Sequence, residues 1–526
     1  MERLTILKFK ALDSIDWIDR LEARRVIPLL VIISLVIKVC IWSLSPVITP
    51  DGPVYISQAE EFLRGNWQKG LSLHQNMFLY PLLIAGLGYA GMDLVFAGNL
   101  LSLIFSVMTI VPLFLLTCQL FDGRVALWAG LAFAVSPGLN EFSVYVMRDP
   151  GFLCMFGWAA YFSSRSVSEN DFKLFLLSLF FSLLAFLFRI EGIFLPILLF
   201  LFVFFHATFY GEWRTDFIKK LLFLFCVGLL TIGGVSFYYG RDLANFNRLG
   251  YVVSSTEKVF KKGILSYDPQ IRVQLQEMER KITNGSVDND FAEIARENVR
   301  KIYLLGLTEN IQRVMYPAFF LLCIVGLVLS RQYRKNNLLF LWLVSGYLFS
   351  NYFYLLHNSF IEKRYVYAAI FLLFPWVGYG VDRFFIGLKK IHLLPQVTPI
   401  LFVAVLFIIP AVDAATDVKM QLVSAKLAGE WIGNNKDFAD MKIVSNNREI
   451  PFYAKRGLDF IDATYVEMDQ ITELAERQNA QLITFVKKIK KEPAELKFDN
   501  FLLVKKFTDK NCESYIFIKK GNFSGN

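Results

Sequence analysis

Long apolar runs joined by short polar links fill the chain up to about residue 412. A helix that crosses the hydrocarbon core of a bilayer needs about 20 mostly apolar residues, and such runs recur throughout this part of the sequence. The predicted spans lie near residues 26–48, 95–118, 124–140, 151–165, 172–189, 191–210, 220–238, 313–331, 337–357, 365–387 and 394–412. The pattern predicts a polytopic α-helical membrane protein with about eleven transmembrane helices.

The pattern changes after residue 412, where helical and strand-like periods are mixed. Apolar positions recur with helical spacing from Val418 to Ile432 and from Val466 to Gln478. Short apolar runs typical of strands are Lys442–Ser445, Leu482–Val486, Phe501–Val504 and Tyr515–Ile518. The sequence therefore predicts a small α/β domain over residues 413–526, after a transmembrane domain over residues 26–412 and an N-terminal segment over residues 1–25.

The net charge of +9 comes from basic clusters that flank the apolar runs, so no basic face for nucleic acid is predicted. With a cytoplasmic N-terminus, every cluster falls on the cytoplasmic side, as the positive-inside rule requires. An odd number of crossings then places the α/β domain outside the cell, together with external loops at residues 49–93 and 240–312. The clusters are Arg20, Arg24 and Arg25, then Arg214, Lys219 and Lys220, then Arg331, Arg334 and Lys335, then Arg383, Lys389 and Lys390.

Familiar cofactor motifs are absent from the sequence. The six cysteines form no CxxC pair, and there is no GxxxxGK[ST] loop for a nucleotide. The short acidic match Asp288-Asn289-Asp290 is interpreted as a solvated turn. ATP-driven transport by this chain alone is therefore not predicted.

One charged group follows the first span. Asp51 stands in Thr49-Pro50-Asp51-Gly52-Pro53-Val54-Tyr55, and the apolar positions after it share one helical face. This spacing predicts an amphipathic helix in the membrane interface, with Asp51 at its start. The alternative is that Asp51 only caps the helix, because Asp before a Pro-containing first turn is a common helix opening.

Three more charged groups are predicted at the same external surface. Ionisable groups at membrane depth are costly and are treated as functional by default. The structural alternatives are a cap at Asp149, snorkelling of Arg148 or Arg364, and an Arg–Glu pair that closes a tight turn. The groups are Arg148-Asp149, Arg189-Ile190-Glu191-Gly192 and Arg364-Tyr365. Arginines beside a carboxylate are what a reaction on a lipid-linked phosphate requires.

In this order, the motifs resemble the membrane glycosyltransferases of the GT-C type that use polyprenyl-phosphate sugars. The resemblance is to the group with protein O-mannosyltransferases and lipid A aminoarabinose transferases, glycosyltransferase family 39. It rests on the groups above and on the Pro-containing element Phe78-Leu79-Tyr80-Pro81, with a fainter match at Ile450–Ala454. The family often has an acidic pair where this chain has Asp51-Gly52.

The resemblance implies a hexosyl- or pentosyltransferase that moves a sugar from a polyprenyl-phosphate carrier to a glycolipid, glycan or protein by inverting displacement. The expected site residues are Asp51 and Asp149 as alternative bases, Arg148, Arg189 and Arg364 as donor-phosphate ligands, and Tyr55, Glu191 and Tyr365 as supporting side chains. No cofactor is needed in this scheme, although carboxylates holding a divalent metal ion stay an alternative. The expected partners are donor, acceptor and membrane lipids, and the expected location is a bacterial plasma membrane.

Two other functions remain open from the sequence. A transporter or flippase of a lipid-linked sugar would place charges along a path through the membrane, whereas the charged groups here gather at one predicted surface. An assembly or sensor protein would explain the α/β domain but not the interfacial arginines.

Overall fold

The computed structural model describes a large part of the chain. The described residues are 23–45, 47–73, 77–210, 222, 271, 273–277, 294–295, 297–390, 398–416, 423–438, 440–464, 466, 468–489 and 498–521. The predicted span at 220–238, the acidic match at 288–290, and most of the N-terminal segment 1–25 and of the loop 240–312 lie outside them.

The described residues form two compact units, each built from segments that are distant in sequence. Unit 1 contains residues from 1–38, 104–140 and 149–415, and unit 2 contains residues from 39–103, 141–148 and 416–526. The domain boundaries at residues 25 and 412 stay a prediction.

The first helices alternate between long apolar elements and short connecting ones. They are α1 (Ala23–Ser43), α2 (Gly52–Leu63), α3 (Trp67–Leu73), α4 (Leu79–Tyr89), α5 (Leu94–Met108), α6 (Ile110–Leu120), α7 (Gly123–Val135), α8 (Pro137–Asn140), α9 (Asp149–Glu169), α10 (Phe172–Phe188) and α11 (Phe194–Tyr210). The following helices are α12 (Val299–Met315), α13 (Pro317–Leu329), α14 (Arg334–Asn358), α15 (Tyr367–Lys390) and α16 (Thr398–Thr416).

Each predicted span that falls on described residues is largely helical, although the span predicted at 313–331 contains the end of α12 and the whole of α13. Among the described residues, four helical stretches are long and apolar enough to cross a membrane: Arg24–Ser43, Leu94–Leu120, Leu338–Asn358 and Lys363–Lys390. The bent pair of α12 and α13, whose axes differ by 107°, counts as a fifth if the pair forms one span. The number of crossings stays a prediction, because several other apolar helices are shorter.

Two elements differ from the sequence prediction. Residues 299–312, predicted as the end of an external loop, belong to α12, which buries Leu307, Ile311 and Val314 along one side. A search for continuous apolar runs misses such a mixed helix. Helix α2, predicted to lie half-exposed in the interface, is instead buried on most sides, including Gln58 and Glu61.

The C-terminal part of unit 2 has the predicted α/β character. Its helices are α17 (Val423–Asn434), α18 (Glu449–Tyr453) and α19 (Met468–Arg477), and its strands are β1 (Ile443–Ser445), β2 (Ile461–Asp462), β3 (Leu482–Lys488), β4 (Phe501–Thr508) and β5 (Cys512–Lys519). The described strands form one sheet in the order β2-β1-β3-β5-β4. The β1–β2 and β1–β3 pairs are parallel, and the β3–β5 and β4–β5 pairs are antiparallel.

Helices cover both faces of this sheet because side chains alternate along each strand. Ile483 and Phe517 point to the face that packs against α19. Leu482 and Ile516 point to the opposite face, which packs against α17 and α18. The tail therefore has two small hydrophobic cores.

Small residues allow close helix contacts in unit 1. A Cβ atom at Gly326 of α13 would lie 2.0 Å from the carbonyl oxygen of Trp376 in α15. One at Gly380 of α15 would lie 2.0 Å from the carbonyl oxygen of Leu322. Glycines at such contacts let helix backbones approach each other, which is a common packing mode in membranes.

We expect Gly326→Ala to lower the thermal stability of the detergent-solubilised protein. The new methyl group would force α13 and α15 apart, and overpacking of this kind costs about 1–3 kcal/mol. Gly306→Ala in α12 is the control, since a Cβ atom there meets nothing within 4 Å. Equal melting temperatures for the two variants would contradict the close contact.

Candidate active site

An acidic and a basic side chain from two predicted motifs pair inside unit 1. Asp149 begins α9, Arg189 follows the last residue of α10, and both side chains are buried. Nη1 of Arg189 donates a hydrogen bond to Oδ1 of Asp149. Nη2 of Arg189 donates to Oε1 of Glu191 at 2.5 Å. Two carboxylates thus neutralise one buried guanidinium, which is the arrangement that a buried charge requires.

The segment before α15 joins this cluster. Nη1 of Arg364 lies 3.9 Å from Oδ2 of Asp149, and Nε of Arg364 lies 2.5 Å from Oε2 of Glu362. The guanidinium carbon of Arg189 lies 5.2 Å from the centroid of the Tyr365 ring, which is within cation–π distance. The Arg364 side chain is 15% exposed against 3% for Arg189, so Arg364 is the more accessible of the two.

The glycine of the Arg-Ile-Glu-Gly motif has a steric role. A Cβ atom at Gly192 would lie 2.3 Å from a backbone nitrogen of α10, so only glycine fits this tight turn. The hydroxyl group of Tyr347 donates a hydrogen bond of 3.1 Å to the carbonyl oxygen of Glu191. The turn and this bond together hold Glu191 beside Arg189.

Arg148, the residue before Asp149, belongs to unit 2 and has a different environment. Its side chain is 7% exposed, and no carboxylate of the described residues lies within ion-pair distance of it. The guanidinium carbon lies 5.9 Å from the ring centroid of Tyr55, and Nη1 lies 2.8 Å from Sδ of Met77. Neither neighbour carries a charge. Arg148 is therefore a buried cation without a described counter-ion.

Hydrogen bonds to the backbone fix the position of Arg148. The hydroxyl group of Tyr80 accepts a 3.0 Å bond from the amide of Met147, the preceding residue, and lies 2.8 Å from the carbonyl oxygen of Gly98. The hydroxyl group of Ser102 donates a 2.9 Å bond to the carbonyl oxygen of Met147. Tyr80 belongs to the Pro-containing element predicted from the sequence, so this element supports Arg148.

Asp51 stands at the start of α2, as the sequence predicts. It is the N-cap residue, but its side chain makes no capping hydrogen bond. Its side chain is partly exposed, whereas Tyr55 one turn later is fully buried. The alternative that Asp51 serves only as a cap is therefore not supported.

The structure groups the sequence-predicted residues by unit. Unit 1 brings together Asp149, Arg189, Glu191, Arg364 and Tyr365. Unit 2 contains Asp51 and the contact between Tyr55 and Arg148. The roles assigned to these residues stay predictions.

Sequence reasoning missed Glu449, a buried acid at the start of α18. It directly precedes the segment Ile450–Ala454, where the resemblance to the outer domain of the family was noticed. An acidic residue next to a short apolar stretch in a folded domain was the available signal. A glutamate on the protein surface gives the same sequence pattern, so sequence alone does not distinguish a buried glutamate from an exposed one.

No group of three or more His, Cys, Asp and Glu side chains within the described ranges comes together as metal ligands do. Oδ1 of Asp149 accepts from a guanidinium, which disfavours this carboxylate as a metal ligand. The metal dependence of the protein stays an open prediction.

Comparison with known proteins identifies one family match in sequence. Residues 78–233 match the family described as dolichyl-phosphate-mannose-protein mannosyltransferase. This region contains the Pro-containing element, Arg148-Asp149 and the Arg-Ile-Glu-Gly motif. A comparison with functionally characterised proteins finds no match over the chain.

Solved structures share the fold over most of the chain. The oligosaccharyltransferase AglB from Archaeoglobus fulgidus, in complex with an inhibitory peptide and a dolichol-phosphate, is 14% identical with a TM-score of 0.55, over 87% of this chain and 69% of AglB. ArnT from Cupriavidus metallidurans, bound to undecaprenyl phosphate, is 13% identical with a TM-score of 0.52, over 96% of this chain and 99% of ArnT.

These matches agree with the apolar helices and with the α/β tail, and the chain is an integral membrane protein. The resemblance predicted from the sequence is thus confirmed: residues 78–233 match the mannosyltransferase family, and the chain has the fold of the GT-C membrane glycosyltransferases.

Proposed function

We propose that this protein transfers a hexosyl or pentosyl group from a polyprenyl-phosphate carrier to a glycolipid, glycan or protein on the extracytoplasmic side of a bacterial plasma membrane. The observation that carries the proposal is Arg148, which is buried without a described counter-ion. Arginine does not lose its charge by deprotonation in proteins. A buried guanidinium without a carboxylate is therefore a strong attractor for an anionic ligand.

A phosphate group fits this requirement well. The planar guanidinium donates two parallel hydrogen bonds to phosphate oxygens, and these charge-assisted bonds are among the stronger ones in proteins. The AglB and ArnT structures with the same fold contain a dolichol-phosphate and an undecaprenyl phosphate, respectively. We therefore assign the phosphate of a polyprenyl carrier as the anion for Arg148.

The other two arginines take different parts in this scheme. Arg189 is saturated by Asp149 and Glu191, so it holds the cluster together rather than binding the donor. Arg364 is more exposed than Arg189, so it is the arginine of this cluster that can contact an anion. Positive charge aimed at a leaving group lowers the barrier because negative charge develops there in the transition state.

Asp51 is the general base of the proposed reaction. It removes the proton from the acceptor hydroxyl group while the oxygen attacks the anomeric carbon and the bond from that carbon to the phosphate oxygen breaks. The polyprenyl phosphate leaves with the electron pair, and the configuration at the anomeric carbon inverts. Asp149 is less suitable as a base, because its carboxylate is buried and already accepts a hydrogen bond from the guanidinium of Arg189.

We expect Asp51→Asn to lower sugar transfer by about 10²- to 10⁴-fold, since a positioned base contributes about that much. The assay follows radiolabelled sugar from a panel of polyprenyl-phosphate donors into membrane lipids, glycans and proteins. Asp499→Asn, at an exposed position of the tail, is the matched control and should retain activity. Transfer that survives in Asp51→Asn would remove Asp51 as the base. If the intact protein transfers label from no donor, the proposed function is wrong.

We expect Arg148→Met to remove the response to the carrier phosphate without lowering the stability of the free protein. Undecaprenyl phosphate at about 100 times its dissociation constant should stabilise the intact protein by about 2.7 kcal/mol. The variant should show no such shift, yet it should melt no earlier than the intact protein without ligand, because no described carboxylate pairs with the lost charge. The measurement is thermal unfolding with and without the lipid. A full lipid-induced shift in the variant would contradict the assignment.

Arg189→Met, unlike Arg148→Met, should lower the thermal stability of the free protein. It leaves Asp149 buried without its main partner, and breaking a buried ion pair from one side costs about 3–5 kcal/mol. The control is Arg313→Met, whose pair with Glu309 is exposed and contributes less than about 1 kcal/mol. Thermal unfolding distinguishes the two variants. Similar melting temperatures would show that the Arg189 pair does not support the fold.

A further inference from the structure

A buried carboxyl group without a hydrogen-bond partner lies in the tail. Glu449 is 1% exposed, and none of the described residues donates a hydrogen bond to either carboxylate oxygen. Its backbone amide donates to Oδ1 of Asn447, and the side chain of the adjacent Arg448 pairs with Asp462 at 2.9 Å. An ionised carboxylate in such a position is unfavourable, because burial removes its water.

The chain around Glu449 contacts the segment that carries Asp51. At the other end of α18, the hydroxyl group of Tyr453 accepts a 2.7 Å hydrogen bond from the amide of Ile48, three residues before Asp51. After α18, a Cβ atom at Gly457 would lie 3.6 Å from Oγ of Ser57, in the second turn of α2. Contacts on both sides of Asp51 therefore hold α18 against this segment.

The electrostatic environment of Glu449 agrees with its position near Asp51. Burial raises the pKa of Glu449 to about 7, and the negative charge of Asp51 raises it further in the same direction. When two carboxyl groups share a site, ionisation of one disfavours ionisation of the other. Glu449 therefore retains its proton well above the pH at which an ordinary glutamate loses it.

We propose that Glu449 is a positioning residue for the base, and that its protonated carboxyl group donates a hydrogen bond to the carboxylate of Asp51. This inference rests on the proposed function, because it takes Asp51 as the group that accepts the proton of the acceptor hydroxyl. Glu449 transfers no proton itself. It orients one oxygen of Asp51, while the other oxygen takes the proton of the acceptor hydroxyl.

The proposal implies a defined pH dependence. The charged or titratable groups that interact with Glu449 are Asp51, Arg448, Tyr453 and Cys512. Burial raises the pKa of Tyr453 to about 12, and burial also raises the pKa of Cys512, so both stay neutral near pH 7. As the pH rises through about 7, Glu449 ionises, loses its donor proton and repels Asp51. Transfer should therefore fall on the alkaline side of about pH 7.

The test compares Glu449→Gln with Glu449→Ala in the full-length protein across pH 5.5 to 8.5. Glutamine keeps a hydrogen-bond donor but does not ionise, so Glu449→Gln should retain kcat within about threefold and lose the alkaline fall. Glu449→Ala should lower kcat by about 10- to 100-fold, the value of one charge-assisted hydrogen bond, with the KM for the donor unchanged. Glu473→Gln, at an exposed position of α19, is the control and should keep the wild-type profile.

Two results would overturn the proposal. If Glu449→Gln is as impaired as Glu449→Ala, the residue is not acting as a hydrogen-bond donor. If Glu449→Gln keeps the alkaline fall, another group causes it.

An infrared measurement tests the pair without any sugar transfer. The intact protein at pH 6 should show a protonated-carboxyl band that is missing in Glu449→Gln and disappears near pH 7 on titration. In Asp51→Asn the midpoint should move to lower pH, because the neighbouring negative charge is gone. The absence of this band would overturn the inference even if sugar transfer is found. A band with the expected shift, in a protein that transfers no sugar, would support the pair and contradict the proposed function instead.

Discussion

Charge neutralisation within an apolar interior is the constraint on which unit 1 depends. Its helices offer little polar surface, so each buried guanidinium or carboxylate has to find a partner inside the protein. Arg189 pairs with Asp149 and Glu191, and Nε of Arg124 lies 2.6 Å from the fully buried Asp382. Such pairs connect helices that are distant in sequence. They also make an exception informative, since a buried cation without a described partner attracts an anion.

Close helix packing places the charged groups as firmly as the ion pairs do. The contacts at Gly326 and Gly380 fix α15 against α13, and α15 directly follows the turn that carries Arg364 and Tyr365. The glycine at position 192 closes the turn after Arg189 in the same way. Residues without side chains thus determine where the charged side chains stand. This is why a glycine forms part of the Arg-Ile-Glu-Gly motif although it has no functional group.

The sequence was sufficient for features that depend on local pattern. Long apolar runs identified the described spans, and short apolar runs identified four of the described strands, but β2 has only two residues, too few for a readable pattern. The burial of α2 on most sides depends on neighbours that no local pattern encodes. For the site, the order of the charged motifs along the chain suggested that the residues around Arg189 lie together. Within the described part of the chain, Arg148 has no counter-ion, Arg189 has two and Glu449 is buried, and these are properties of three-dimensional packing alone.

The discontinuity of unit 2 bears on how the protein is made. Its first segment, residues 39–103, leaves the ribosome several hundred residues before residues 416–526 are synthesised. Until then, buried residues such as Ile48, whose amide binds the hydroxyl group of Tyr453, lack part of their eventual surroundings, and exposed apolar surface attracts chaperones and proteases. The last segment to be synthesised therefore completes the surroundings of the first. A prematurely terminated chain could insert most of its helices and still be recognised by quality control as unfinished.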